Sequence, residues 1–332
     1  MKKVRLKDTA LELSNICLGA AGFGPGMAKA QTFEILDAFM AAGGNFIDTA
    51  NVYGKWMPDR KNHSEEVLGE WLKSGNARNK AIIATKGGHY DLSAPQISRV
   101  NREGVEKDLE ESLRTLGLDH IDFYWLHRDD VNTPVEEIID MMEGFVKEGK
   151  IRYYGASNYT LERMKAADTY AKANGFQGFS AVSNQWSLAT LTQTGNSDPT
   201  LAGMTDEFYR WHKETKTPMI PYTSTARGFF DKMFKLQPKV KDGVLLESGG
   251  EEAKGIEAQL SERNIRIYED LLELKEKYQV SLYTLSLAYF LNQPFEVIPV
   301  SSVRNVEQLK GLVSASDITL PGEFTEKYSA AI

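Results

Sequence analysis

Strand-like and helix-like segments alternate from one end of this 332-residue chain to the other. No low-complexity tract and no linker rich in proline or glycine interrupts the alternation. The pattern predicts a parallel sheet whose strands are joined by crossover helices. Eight such units close most naturally into a (β/α)8 barrel, the TIM barrel of the α/β class. We therefore expect a single barrel domain over residues 1–332, with a variable polar loop at about residues 232–262.

Local signals place the elements of this barrel. Ser64 is the predicted N-cap of one helix, Thr133 to Glu136 form a predicted capping box, and Gly117 ends another helix. An open doubly wound sheet is the alternative, and it is less favoured because the glycines at positions 19, 22 and 24 lack the spacing of a dinucleotide-binding fingerprint. The predicted strands are Ile16–Leu18, Phe46–Ile47, Ala81–Thr85, Ile121–Leu126, Arg152–Ala156, Ala181–Asn184, Met219–Tyr222 and Val297–Ile298.

Composition limits what such a protein does. A net charge of -7 argues against nucleic acid as the main partner. The single Cys17 forms no internal disulfide or zinc cluster, and the five histidines show no metal-ligand spacing, so we expect no metal. His63 and His212 are expected at the surface. No apolar run could span a bilayer and no secretory signal is recognisable, which predicts a cytoplasmic protein without a membrane partner.

Four ionisable side chains stand at or just after predicted strand ends: Asp48, Tyr53, Lys86 and His127. In a (β/α)8 barrel, the chemistry takes place at the C-terminal ends of the strands. Each residue alone has an ordinary structural explanation, such as a turn cap for Asp48 or a hydrogen-bonded structural imidazole for His127. Together at one rim, the four groups would have to stabilise one another against desolvation, which favours a functional site.

The chemistry of these four groups fits the reduction of a carbonyl. A carbonyl that accepts a hydride becomes an alkoxide and needs a proton, which Tyr53 could donate while the Lys86 ammonium stabilises the phenolate. Asp48 would hold Lys86 in its charged form, and His127 would orient the carbonyl through a hydrogen bond. No side chain can supply a hydride, so this set of residues predicts a nicotinamide cofactor.

At these residues the sequence strongly resembles the aldo-keto reductases. The motif Asp-Thr-Ala-x-x-Tyr-Gly occupies residues 48–54, and further matching segments lie at residues 64–69, 84–86, 119–127, 149–152, 155–158, 184–186 and 307–309. The resemblance covers about residues 13–312. It implies a barrel that binds NADP(H) across its rim without a Rossmann domain, and it implies the same catalytic roles for the four residues. The activity implied is NADPH-dependent reduction of aldehydes or ketones to alcohols.

The resemblance also implies which residues bind the cofactor. They are Ser157, Asn158, Gln185, Tyr222, Thr223, Ser224, Arg227, Gly228, Ser302, Arg304 and Gln308. The first three would hold the nicotinamide carboxamide, and Tyr222 would stack on the nicotinamide ring. Arg304 is the candidate for the 2′-phosphate, which favours NADP(H). Ser302 and Leu312 differ from the residues usual in the family, so NAD(H) remains an alternative.

The substrate is less constrained by the sequence. The candidate substrate-pocket residues are Trp56, His89 and Arg128. Polar residues at the predicted rim, among them Asn51, Lys55 and Asp129, would suit a sugar or polyol derivative. The sequence leaves the physiological substrate, the preferred direction of the reaction and the oligomeric state open.

Two further questions have alternative answers. Lys232 and Lys235 in the variable loop could approach the cofactor phosphates or simply belong to a solvated surface. The protein could also be a cofactor-binding regulatory subunit that resembles the potassium-channel β subunits, which retain the same four residues. The barrel is expected to start within about the first fifteen residues without a preceding extension, which favours the free enzyme.

Overall fold

The structure, a computed structural model, describes residues 1–75, 80–190, 198, 200–238, 240–241, 244–245, 256–257 and 259–329. Its centre is a parallel sheet that curls into a barrel. The strands are β1 Lys3–Arg5, β2 Glu12–Ser14, β3 Cys17–Gly19, β4 Phe46–Asp48, β5 Ile82–Gly87, β6 Ile121–Leu126, β7 Ile151–Ser157, β8 Val182–Ser183, β9 Val240–Lys241, β10 Val244–Leu245 and β11 Val300–Ser301.

Seven of these strands form the parallel sheet, in the order β11-β3-β4-β5-β6-β7-β8. Met219 closes the ring, because it forms parallel bridges both to Val182 on β8 and to Val297 just before β11. The predicted strand Met219–Tyr222 is thus reduced to isolated bridges, and the last strand begins later than the predicted Val297–Ile298. The predicted (β/α)8 barrel is confirmed.

Helices cover the outside of the barrel. They are α1 Lys29–Ala41, α2 His63–Ser74, α3 Arg102–Leu116, α4 Val135–Lys147, α5 Leu161–Asn174, α6 Asp206–Thr215, α7 Phe229–Leu236, α8 Glu262–Tyr278, α9 Leu282–Leu291, α10 Val306–Ser314 and α11 Gly322–Ser329. α3 is an example of an amphipathic helix that packs on the barrel, since Val105, Leu109 and Leu116 are buried on one face. Gly117 ends this helix with φ 67°, as predicted. No helix in the described part of the chain is long and apolar enough to cross a membrane.

The interior of the barrel has its own apolar core, which an N-terminal hairpin closes at the bottom. β1 and β2 pair antiparallel, and Leu6, Leu11 and Leu13 of this hairpin are buried. They belong to one cluster with strand residues such as Phe46 and Trp125. With the lower end filled by leucines, the polar strand ends lie together at the opposite rim.

Two predicted caps are wrong because their hydroxyls are used elsewhere. α2 begins at His63, and the Ser64 hydroxyl inside it donates to the Ala20 carbonyl oxygen at 2.8 Å. α4 begins at Val135, so Pro134 rather than Thr133 takes the cap position. The Thr133 hydroxyl donates to the Asp130 carboxylate at 3.2 Å instead.

The structure also bears on the expected positions of His212 and of the variable loop. His212, expected at the surface, is fully buried. Its ring stacks between Phe208 and Phe295, with ring centroids at 5.0 and 5.3 Å. Part of the predicted variable loop at 232–262 lies outside the described residues, and its described part includes the short strands β9 and β10. Its described beginning is helical, since Lys232 and Lys235 belong to α7.

Candidate active site

Three neighbouring strands bring the predicted catalytic residues to one rim. Asp48 is the last residue of β4, Lys86 lies near the end of β5, and His127 directly follows β6. Because these strands are parallel neighbours, their C-terminal ends meet at the same edge. Tyr53 lies in the turn that follows β4, and all four residues line one cleft.

Lys86 is the centre of the hydrogen bonds in this group. Its ammonium donates to the Asp48 carboxylate, to the Thr49 carbonyl oxygen at 2.7 Å and to the Tyr53 hydroxyl at 3.4 Å. The Lys86 and Asp48 side chains are only 5% and 6% exposed. Burial opposes the charge on Lys86, but Asp48 and Tyr53 together outweigh it, so the pKa of Lys86 is raised. A charged ammonium is therefore held beside the Tyr53 hydroxyl.

His127 is held in its neutral form. Its ring meets the Tyr53 ring edge-on, with centroids 5.9 Å apart. Burial lowers the pKa of His127 well below its usual value, and His89, Arg128 and Lys86 lower it further. Its Nδ1 atom is buried and has no hydrogen-bond partner among the described residues. A neutral imidazole at the cleft can donate one hydrogen bond from its other nitrogen, Nε2.

The cleft at this rim has a volume of about 1270 Å³, which is larger than most pockets for a single small ligand. It runs from the four residues above to the start of α10. The predicted cofactor residues that line it are Ser157, Asn158, Tyr222, Thr223, Ser224, Arg227, Gly228, Ser302, Arg304 and Gln308, and Arg128 lines it as well.

Three of the predicted residues do not line this cleft. Gln185 is half-buried, and its backbone bridges to Tyr222 and Gly203. Trp56 is 53% exposed on the rim, with its ring 6.3 Å from the Tyr53 ring. His89 lines a separate, smaller cavity next to the cleft.

Asn158 is the centre of a polar network at the catalytic end of the cleft. Its side-chain oxygen accepts hydrogen bonds from the Tyr222 hydroxyl at 2.6 Å and from the Ala202 N–H at 3.2 Å. Its side-chain nitrogen donates to the His127 carbonyl oxygen and to the Ser157 hydroxyl, both at 3.1 Å. The backbone of Asn158 has φ 64°, and asparagine is among the side chains that tolerate this left-handed conformation. The network fixes the amide before any ligand binds.

The far end of the cleft carries an excess of positive charge. Four cationic side chains, Arg227, Lys232, Arg304 and Lys310, line it against the two carboxylates of Asp231 and Glu307. Lys235 is not among the lining residues. Non-glycine residues with left-handed backbone cluster in the segment 223–228 beside these cations. Backbone of this kind is typical of functional sites.

Some groups at this end are already bonded within the protein. The Ser302 hydroxyl donates to the Gly19 carbonyl oxygen at 2.8 Å, which ties the segment after β11 to β3. The Gln308 side-chain oxygen accepts from the Arg304 backbone N–H at 2.8 Å. Arg304 itself is exposed, whereas Leu312 is fully buried in the core and out of reach of a ligand.

Sequence reasoning missed several residues that line the cleft. Among them are Gly19, Leu201, Asp231, Tyr283 and Lys310. Gly19 is the last residue of β3, and the others lie on helices and loops that approach the cleft only after packing. A polar side chain on a helix gives no signal of its own, so only the assembled barrel identifies them.

Comparison with known proteins agrees with this geometry. The Aldo/keto reductase family model matches residues 15–332. The chain belongs to the aldo/keto reductase family. Membership makes it an oxidoreductase, and the family generally uses nicotinamide cofactors. The resemblance stated from the motifs is therefore confirmed.

Relatives of this aldo-keto reductase are distant but match over most of their length. A Saccharomyces cerevisiae protein named "Putative aryl-alcohol dehydrogenase" is 29% identical, with 98% of this chain and 84% of the relative covered. Norsolorinic acid reductase B of Dothistroma septosporum is 26% identical, with 98% and 80% covered. The crystal structure of the thermostable aldo-keto reductase Tm1743, in complex with the inhibitor epalrestat, superposes with a TM-score of 0.70 at 20% identity and 99% coverage of both chains. This last likeness supports the fold alone.

Proposed function

We propose that this protein reduces aldehyde or ketone groups to alcohols with NADPH, and that Tyr53 donates the proton. The observation that carries the proposal is the position of the Lys86 ammonium, which is bonded to both Asp48 and the Tyr53 hydroxyl at one end of a long cleft. A phenol beside a held positive charge is suited to release a proton, because the phenolate that remains is stabilised.

The chain's own residues divide the work as follows. The cofactor supplies the hydride when it is bound. Neutral His127 donates a hydrogen bond to the carbonyl oxygen and fixes its orientation. Tyr53 gives its proton to that oxygen as negative charge develops, while Lys86 stabilises the phenolate and Asp48 keeps Lys86 charged.

The cleft fits a phosphorylated dinucleotide. Its far end offers the cations that phosphate groups require, and an exposed arginine such as Arg304 suits the 2′-phosphate of NADP(H). Its catalytic end offers the amide and hydroxyl groups of Asn158 and Ser157, which suit a carboxamide. Asn158 would exchange one of its present hydrogen bonds for the cofactor. Gln185 is not among the lining residues and would have to reach the carboxamide from outside them.

The substrate that the rim fits best is a planar aromatic carbonyl compound. The rings of Trp56, Tyr53 and His127 form an aromatic wall beside the proton donor. His89 and Tyr90 continue this wall with ring centroids 4.1 Å apart, and such surfaces favour stacking with flat ligands. One relative reported above is named "Putative aryl-alcohol dehydrogenase", and an aryl alcohol is the product of reducing an aromatic carbonyl compound.

A sugar or polyol is less well supported, because the polar rim groups that would bind it are bonded to each other. The Lys55 ammonium donates to the Asn51 side-chain oxygen and to the Glu111 carboxylate, both at 2.7 Å. The Asp129 carboxylate accepts two hydrogen bonds from Arg163 at 2.8 and 2.9 Å.

The test is turnover of benzaldehyde with NADPH by the wild type and by Tyr53→Phe. We expect the variant to lose turnover by about 10²–10⁴-fold, the usual contribution of a general acid, and to keep cofactor binding as followed by tryptophan fluorescence. Tyr170→Phe is the matched control, since its hydroxyl is exposed and bonds Asp140 on the outside of the barrel. Turnover by Tyr53→Phe at the level of Tyr170→Phe would contradict the assignment of Tyr53.

A further inference from the structure

A second cavity of about 240 Å³ lies beside the cleft, between the turn after β4 and the middle of α3. It meets the cleft at Lys86, which lines both. Its lining is largely polar and includes Asn51, Lys55, His89, Arg99, Asp108 and Glu111. Two pairs of these charges are bonded to each other, Lys55 with Glu111 at 2.7 Å and Arg99 with Asp108 at 2.6 Å. It has room for a polar substituent and several waters, since a water occupies about 30 Å³ in the liquid.

The backbone on both sides of His89 is fixed by an ion pair. The buried Asp108 carboxylate accepts hydrogen bonds from the Gly88 N–H at 3.0 Å and from both terminal nitrogens of Arg99, at 2.6 and 3.1 Å. One of these Arg99 nitrogens also donates to the His89 carbonyl oxygen at 3.0 Å. The His89 ring then packs against the His127 ring, with centroids 4.8 Å apart. These contacts hold His89 in place beside His127.

The hydrogen bonds of His89 define which nitrogen is free. Its Nδ1 atom lies 2.9 Å from the Tyr90 carbonyl oxygen, and a carbonyl only accepts, so Nδ1 carries the hydrogen. Burial and the nearby Arg128 charge lower the pKa of His89 to about 4, which keeps the ring neutral near pH 7. In this tautomer Nε2 is an acceptor, and no residue that the structure describes donates to it.

We propose that His89 determines substrate specificity by accepting, at Nε2, a hydrogen bond from a hydroxyl group on the aromatic ring of the substrate. The inference rests on the proposed function and narrows its substrate class to aromatic carbonyl compounds that carry a hydroxyl donor. The carbonyl would lie at Tyr53 and His127, and the hydroxyl would point past His89 to the side cavity. A ring substituent without a donor would leave the Nε2 lone pair unpaired, which lowers kcat/KM for that substrate.

The experiment compares hydroxyl and methoxy substituents at the same ring position. We measure kcat/KM with NADPH for 3- and 4-hydroxybenzaldehyde and for the two matching methoxybenzaldehydes, at pH 6 so that the phenols stay protonated. In the wild type we expect a preference of about tenfold for at least one hydroxyl compound over its methoxy partner. In His89→Phe, which keeps a ring but has no acceptor, this ratio falls to about one. In His89→Gln, which keeps an acceptor, part of the preference returns.

The ratio is taken within each variant, so a general loss of activity cancels. If the wild type reduces the aldehydes but the ratio is the same in His89→Phe, the role of His89 is overturned while the proposed function stands. If the wild type reduces none of the four aldehydes, or benzaldehyde, the proposed function fails and this inference fails with it. Should His89→Phe not fold, the ratio in His89→Gln against the wild type and against His89→Leu decides.

Discussion

At the scale of single residues, Arg304 offers a test of cofactor preference. Its side chain is exposed at the positive end of the cleft and forms no ion pair with any residue in the described part of the chain. Its bond to Gln308 is made by the backbone, so truncating the side chain leaves the local fold intact. We expect Arg304→Ala to raise KM for NADPH about 10–100-fold, as loss of a charged hydrogen bond does, and KM for NADH far less.

Steady-state kinetics with both cofactors checks this expectation. Arg210→Ala on α6 is the control, because within the described part of the chain its guanidinium bonds only the helix backbone, at the Asp206 carbonyl oxygen. Equal changes in KM for NADPH and NADH would show that Arg304 does not distinguish the 2′-phosphate.

Residues differ in how far the sequence reveals them. The positions of Asp48, Lys86 and His127 were predictable, since chain order and strand ends place them in any barrel of this topology. The hydrogen bonds of Asn158 and Ser302 were not, because they depend on backbone conformation and on segments more than 20 residues away. The pairing of Asp108 with Arg99, which fixes His89, gave no sequence signal either, since both look like ordinary surface charges of a helix and its preceding loop.

At the scale of elements, the contact between β6 and β7 depends on a missing side chain. Gly155 pairs with Trp125 in the register of the two strands, and both face the barrel interior. A Cβ atom at Gly155 would lie 2.5 Å from the Trp125 ring and 2.8 Å from the Ala181 carbonyl oxygen. We therefore expect Gly155→Ala to lower the free energy of unfolding by about 1–3 kcal/mol through overpacking.

Urea denaturation of the two glycine variants separates overpacking from a general effect of adding a methyl group. Gly322→Ala in α11 is the control, since nothing lies within 4 Å of its added Cβ, and it should change stability by no more than about 0.5 kcal/mol. Similar losses in Gly155→Ala and Gly322→Ala would contradict the role of Trp125.

The elements that the sequence missed are the shortest ones. The hairpin of β1 and β2 has only three residues in each strand, too few to show alternation, although its leucines fill the bottom of the barrel. Likewise, Met219 fills its place in the barrel wall through single bridges only. The apolar run Met219–Tyr222 predicts a strand, but the backbone there forms isolated bridges. Long helices such as α3 were predictable, because the helical spacing of their apolar residues and the glycine after their last residue indicate the same element.

At the scale of the whole molecule, the barrel follows from the alternation of elements, but its stability against acid depends on buried groups that the alternation does not reveal. His212 is the clearest case. It lies between two aromatic rings, and its Nδ1 donates to the Thr217 carbonyl oxygen at 2.7 Å. Burial lowers the pKa of His212 to about 4. The folded protein therefore keeps His212 neutral at a pH where the unfolded chain protonates it.

The sign of the effect follows from this difference in proton binding. Between about pH 6.5 and pH 4 the unfolded state binds one proton more at this position, so stability falls as the pH falls through that window. For a pKa lowered from 6.5 to about 4, the full loss of stability is roughly 3 kcal/mol. In His212→Asn, the side-chain amide can still donate to the Thr217 carbonyl oxygen, but it does not bind a proton in this pH range. We expect the variant to be less stable than the wild type at pH 7.5, because it loses the stacking.

Urea unfolding at pH 7.5, 6.5, 5.5 and 4.5 then decides whether this buried ring sets the acid limit of the fold. The gap between wild type and His212→Asn should narrow as the pH falls, because only the wild type pays for keeping His212 neutral. The lowered pKa values of His89 and His127 act in both proteins and cancel in the comparison. If the two stability curves stay parallel down to pH 4.5, His212 does not contribute, and other titrating groups set the acid limit.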